Sequence, residues 1–241
     1  MKKKRNLKIK ELIFITGLGG SGSRVLGMIC QKLGFNLGLH LNKSLDNAIF
    51  FKKSNYYGSI QPHKEEHYSR FKNKFLTQLN SSYDTETAVI KEPNFHVFIP
   101  FLSRISQEIG FKIKFIHIIR DALYMINSKN QNQFIRWGYL FPISAKKERF
   151  KRLEFWYYAN QSAIKSLRET NLDHLIVSYD SLTSGDNTEL LSILNFLDKD
   201  SMITSFDDFV KSISTHRSRS ESLDMKKIPE KYQSMIQCNF C

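Results

Sequence analysis

Four short runs of β-branched and aromatic residues, separated by helix-length sequence, constrain this chain more than any other feature. Leu12–Thr16, Thr87–Lys91, Ile113–Ile119 and His174–Tyr179 are strand-length and rich in Ile, Val or Phe. Between them apolar residues recur at helical spacing. Arg24–Leu33 carries Val25, Leu26, Ile29 and Leu33 on one side, and Gly34 follows as a C-terminal stop. Ile99–Ile109 has the same period, with Pro100 acceptable in a first turn, as do Lys147–Arg168 and Glu189–Leu197. A helix-length crossover returns the chain to the end of the sheet where the previous strand began, so successive strands run parallel and helices cover them. The expectation is an α/β fold: a doubly wound, mostly parallel sheet with helices on both faces. Ligands of such sheets collect where strands run out, here at Gly17–Arg24, Lys91–Asn94, Arg120–Asp121 and Tyr179–Asp180.

The chain's 241 residues suffice for one large domain over 1–241. Residues 1–10 read as a basic tail and 214–241 as a C-terminal loop and tail. Residues 35–85 break the alternation and read as an insertion on the acceptor side, holding one amphipathic helix around Tyr68–Leu79. No apolar run is long enough to span a bilayer, and no signal-peptide core follows the basic start, so a cytoplasmic protein is expected. Cys30, Cys238 and Cys241 form neither a disulfide framework nor, without a second cysteine pair, a zinc site. The formal charge of +13 points to an acidic partner or to a lysine-loaded surface.

The glycine turn after the first run, Gly17-Leu-Gly-Gly-Ser-Gly-Ser-Arg24, allows successive backbone N–H groups to converge on an anion without a Cβ between them. The helix that follows adds its positive end. Against the nucleotide-hydrolase pattern G-x-x-x-x-G-K-[ST], Gly17 and Gly22 match. Ser23 stands in place of the lysine and Arg24 in place of the magnesium-binding hydroxyl, which disfavours Mg–ATP chemistry. A second signal is Arg120 at the end of the third run with Ser128 eight residues later, a charge-assisted fork and a hydroxyl suited to another phosphate. The plain alternative is an Arg120–Asp121 ion pair with Ser128 on a helix surface.

A glycine/serine loop after the first strand, then Arg-x7-Ser after a central one, resembles the two nucleotide-binding motifs of the sulfotransferases that use 3′-phosphoadenosine 5′-phosphosulfate (PAPS). Lys91-Glu-Pro-Asn94 is similar to the Lys-[Glu/Asp]-Pro-Arg motif of bacterial members, and Ser178-Tyr-Asp-Ser-Leu182 to their Tyr-Glu-Asp-Leu segment. Phe155-Trp-Tyr-Tyr-Ala-Asn160 is similar to their Trp-containing helix. The resemblance covers residues 12 to about 200, except 35–85. It implies a fold like that of the P-loop NTPases and transfer of a sulfuryl group, without a metal, to a hydroxyl or amine of a glycan or other small molecule.

By the same resemblance, Gly19, Gly20, Ser21, Gly22, Ser23 and Arg24 would hold the 5′-phosphosulfate, and Arg120 and Ser128 the 3′-phosphate. Tyr179 would stack on adenine, and Arg217 and Arg219 would close over the nucleotide. Lys91 and Arg24 would face the leaving group, and Glu92 would serve as base or as a structural partner of a neighbouring cation. His63, His67 and His96 are further candidates for the base, whereas His117 reads as a core residue. The chain departs from the family at Gly20, where many members carry Lys or Arg. Two other readings stay open: a degenerate P-loop kinase or hydrolase, and a basic nucleic-acid-binding protein whose glycine loop is structural. The second lacks any RNA-recognition, zinc-finger or helix-turn-helix signature.

Overall fold

A computed structural model describes residues 8–50, 60–128, 130–184, 187–199, 228–238 and 240. In chain order its elements are β1 (Glu11–Gly17), α1 (Ser23–Lys32), α2 (Tyr68–Ser82), β2 (Thr87–Lys91), α3 (Ile99–Ile109) and β3 (Lys112–Ile119). Then come α4 (Ala122–Asn127), α5 (Asn132–Trp137), α6 (Glu148–Glu169), β4 (Asp173–Ser178), α7 (Tyr179–Leu182), α8 (Thr188–Phe196) and α9 (Glu230–Ile236). The four sequence runs become the four strands, and each long helical stripe becomes a helix shifted by a residue or two. The protein is α/β with an all-parallel sheet of order β2-β1-β3-β4. The β1 to β2 connection leaves to one side of β1, and the next strand, β3, lies on the other. The order therefore reverses between β1 and β3, the position where open parallel sheets take ligands. Among the described residues no helix is long and apolar enough to cross a membrane.

The chain divides into two compact units. One contains Ser23–Ile116 and Lys165–His174 with the strand residues up to Thr16; the other contains Gly17–Gly22, His117–Ile164 and the chain from Leu175 onward. In the first unit β1 and β2 pair in parallel, from Glu11 opposite Thr87 to Ile15 opposite Lys91. Its core is aromatic: Phe14 stacks on Phe115 at 4.8 Å and meets Phe95 edge-on at 5.3 Å, while Phe71 stacks on Phe98 at 4.7 Å. Phe50, Phe71 and Phe75 are fully buried, and each such ring stabilises the fold by about 1.5–3 kcal/mol. Much of the stretch read as an acceptor-side insertion is therefore core, because α2 turns its Phe71/Phe75 face onto Phe14 and Phe95.

In the second unit α6 is the central helix, burying Leu153, Trp156, Ala159 and Ile164. The helix α9 docks against it through Phe150 and Tyr232, stacked at 4.2 Å, and through Lys231, whose ammonium donates to Glu154 at 2.7 Å. His117 is fully buried on β3, its Nε2 3.0 Å from the Asn160 side-chain oxygen. Burial lowers its pKa to about 4 against the bond to Asn160, so it is a neutral core histidine as its apolar neighbours suggested.

Candidate functional site

Within the second unit, the glycine turn, the residues after β3 and the start of α7 form one cluster. Gly17, Gly20 and Gly22 have φ of 152°, 100° and 91°, values that side chains rarely adopt. Each is also crowded. A Cβ on Gly20 would lie 3.0 Å from the Ser128 hydroxyl, and one on Gly22 would lie 2.0 Å from the Tyr179 ring. Both the left-handed backbone angle and the nearby Ser128 hydroxyl disfavour any side chain at Gly20.

A cation, Arg120, lies against this turn. Its side chain is buried to 8% exposure, with the guanidinium carbon 3.2 Å from the Tyr124 ring centre and 4.1 Å from that of Tyr179. Its Nη1 donates to the Gly20 carbonyl at 3.3 Å, whereas among the described residues its buried Nε has no hydrogen-bond partner. Among the described residues no carboxylate pairs with Arg120. Asp121, the neighbour that the sequence offered as an ion-pair partner, caps α4 by accepting from the Tyr124 amide at 2.9 Å. Beneath this, the indole N–H of Trp156 donates to the Arg120 carbonyl at 3.1 Å, and the Asn160 amide donates to the Trp156 carbonyl at 2.8 Å. Trp156 is buried as its helical stripe suggested, and it also anchors the backbone that carries Arg120.

Several expectations need correction. Ser128 is not on a helix: it caps the C-terminal end of α4 in extended conformation, and its hydroxyl accepts from the Asn130 amide at 3.2 Å. Tyr179 offers no face for adenine, because its ring is 7% exposed, pressed against Gly22 and lying under Arg120. Not all of the turn's amides are available to an anion. The Gly19 N–H donates to the Gln133 side-chain oxygen, and the Ser21 N–H donates to the Leu18 carbonyl at 2.9 Å. Among the described residues the amides of Gly20 and Gly22 make no hydrogen bond. The Ser21 hydroxyl is buried and likewise unpartnered. Arg217 and Arg219 lie outside the described residues.

The first unit holds the other candidates. Arg24, on α1, is exposed and donates to the Ser44 hydroxyl at 2.9 Å. Lys91 is 1% exposed and ion-paired with Asp46, its stem lying against Gly27 so closely that a Cβ there would come within 2.9 Å of it. Glu92 is 4% exposed, and its carboxylate accepts from the Asn94 amide at 3.1 Å and from the Asn94 side chain at 2.6 Å, capping the turn Pro93–Phe98. Burial raises its pKa to about 7 despite those bonds, close to the value that suits a base at neutral pH. His96 has Nδ1 2.8 Å from the Pro93 carbonyl, and His67 accepts from the Gln61 amide at 2.8 Å, so both rings have local structural roles.

Sequence reasoning passed over Tyr124, Gln133 and Asp46. Tyr124 was within reach, since it lies in the first turn of the helix that starts two residues after Arg120. Gln133 and Asp46 sit in polar stretches with no periodicity to single them out. Fold and site together define an α/β protein with an arginine-backed glycine turn at the end of its first strand. No protein-family model matches the chain, and none of the curated proteins compared with it matches either.

Proposed function

We propose that this protein is a PAPS-dependent sulfotransferase with the doubly wound fold typical of P-loop proteins. The observation that carries the reading is Arg120. Among the described residues this buried guanidinium has no carboxylate and an unpartnered Nε, an arrangement costly to maintain unless an anion completes it. The two tyrosine rings offset part of that cost through cation–π contact and fix the plane of the fork. The guanidinium reaches the same turn whose Gly20 and Gly22 amides are unbonded among the described residues, so two anionic groups held there would be neighbours. The 3′-phosphate and 5′-phosphosulfate of one ribose are such a pair. The Ser128 hydroxyl, against Gly20, is a further donor.

In the transfer, the acceptor oxygen or nitrogen forms a bond to sulfur as the bond between sulfur and the 5′-phosphate oxygen breaks. That oxygen keeps the electron pair and leaves on adenosine 3′,5′-bisphosphate. Backbone N–H groups and fixed cations suffice to stabilise the spread charge of such a transition state. The Glu92 carboxylate, poised near neutrality, takes the acceptor's proton. By the family resemblance Lys91 and Arg24 are the cations proposed for the leaving side; in the first unit Lys91 is ion-paired with Asp46.

Calorimetry with adenosine 3′,5′-bisphosphate tests this reading. Arg120→Ala should weaken binding by about 1.5–3 kcal/mol, the value of a charge-assisted bond. Equal affinity in the two proteins, or tighter binding of Mg–ATP than of the bisphosphate, would overturn the proposal.

A further inference from the structure

We infer that Gln133 is a positioning residue that locks the glycine turn in its anion-binding shape, bonding the backbone at two points and leaving the amides of Gly20 and Gly22 to the bound anion. The inference rests on the nucleotide-binding reading above.

Gln133 lies on α5, far from the turn in sequence, and is buried to 6% exposure. Its Nε2 donates to the Gly17 carbonyl at 3.3 Å, and its Oε1 accepts from the Gly19 N–H. The polarity of these two partners dictates the orientation of the amide, because a carbonyl only accepts and an N–H only donates. The carboxamide thus acts as a single peptide unit of a neighbouring strand, carrying ladder-type bonding beyond the end of β1. Asn130 packs beside it, its side chain 3.1 Å from where a Cβ of Gly19 would be.

A turn with four glycines in six positions has more backbone freedom than one built of residues with side chains, and ordering it around an anion costs binding energy. Two bonds from a buried side chain remove that freedom before the anion arrives. The alternative, that Gln133 is a plug competing with phosphate for the Gly19 amide, predicts tighter nucleotide binding on its removal. With Gln133 in place, the cavity on that side, lined by Leu18, Met125, Gln133, Phe155 and Trp156 among others, has about 10 Å³, enough for one water. The anion belongs on the side of Arg120.

The test uses Gln133→Ala and Gln133→Glu in the full chain, with two readouts. Calorimetry with adenosine 3′,5′-bisphosphate should show Gln133→Ala binding on the order of tenfold more weakly while its far-ultraviolet circular dichroism stays native. Hydrogen exchange at the Gly19 amide, measured without nucleotide, should be faster than in the natural chain. Gln133→Glu keeps an acceptor for Gly19 but faces the Gly17 carbonyl with a second acceptor and adds a negative charge, so it should bind more weakly still. This near-isosteric variant decides the matter if the alanine variant fails to fold. Unchanged or tighter nucleotide binding in Gln133→Ala would overturn the inference. A natural chain that does not bind the bisphosphate would instead sink the sulfotransferase reading. The exchange readout then judges the clamp alone: faster exchange at Gly19 supports it, and unchanged exchange overturns it.

Discussion

At pH 8, Glu92→Gln is expected to be more stable than the natural chain by roughly 3 kcal/mol, although it removes the residue proposed as base. The fully buried Glu92 carboxyl has its pKa raised from 4.5 to about 7, chiefly by desolvation, with the Asp46 charge adding to it and the Asn94 bonds and Lys91 opposing it. Because the folded-state pKa is the higher one, the folded protein holds this proton more tightly than the unfolded chain. This group's contribution to stability is therefore greatest below pH 4.5 and falls as pH rises through about 7, where the buried charge is half formed. Glutamine mimics the protonated acid and keeps an oxygen for the Asn94 amide. Its advantage should be full above pH 7, shrink as the solution is acidified and vanish below about 4.5. Urea titrations at several pH values measure it, and a difference that does not vary with pH would refute the assignment. If Glu92 is the base, sulfuryl transfer by the natural chain should rise with pH through about 7, and Glu92→Gln should lose that limb. A variant more stable yet inactive is what a strained catalytic group produces.

Glu154 is the opposite case. Its side chain has no exposed surface, yet it accepts from the amides of Ser144 and Ala145 at 2.7 and 2.9 Å and from the Lys231 ammonium at 2.7 Å. Burial favours the neutral acid, but the bonds from Lys231 and the two amides outweigh it and hold the pKa below the ordinary carboxylate value. Glu154→Ala should destabilise the protein by about 3 kcal/mol at pH 7, the low end for breaking a buried pair, because Lys231 is half-exposed and can regain water. With a depressed folded-state pKa, this contribution is present above the ordinary carboxylate range and lost as pH falls through the depressed value. The gap between Glu154→Gln and the natural chain should accordingly close in acid, whereas the gap for Glu92→Gln opens in base. Since Lys231 and Tyr232 belong to α9, limited proteolysis of Glu154→Ala should release the C-terminal helix first. Cleavage no faster than in the natural chain would show that α9 is held by other contacts.

What the sequence determined by itself is the set of four strands and the longer helices. Strand and helix periods are local properties, so Thr87–Lys91 and Ile99–Ile109 can be read without knowing what they touch, and Gly34 and Gly110 stop α1 and α3 through their own backbone angles. Only the tertiary structure decided which residues meet at the glycine turn. Arg120 reaches Gly20 across 100 residues and Gln133 reaches Gly17 across 116, and neither contact leaves a periodic trace in the chain. Tyr179 became a platform for Arg120 instead of an open stacking face, and Lys91 acquired Asp46, because burial and pairing are settled by what packs above a side chain and not by its neighbours in sequence.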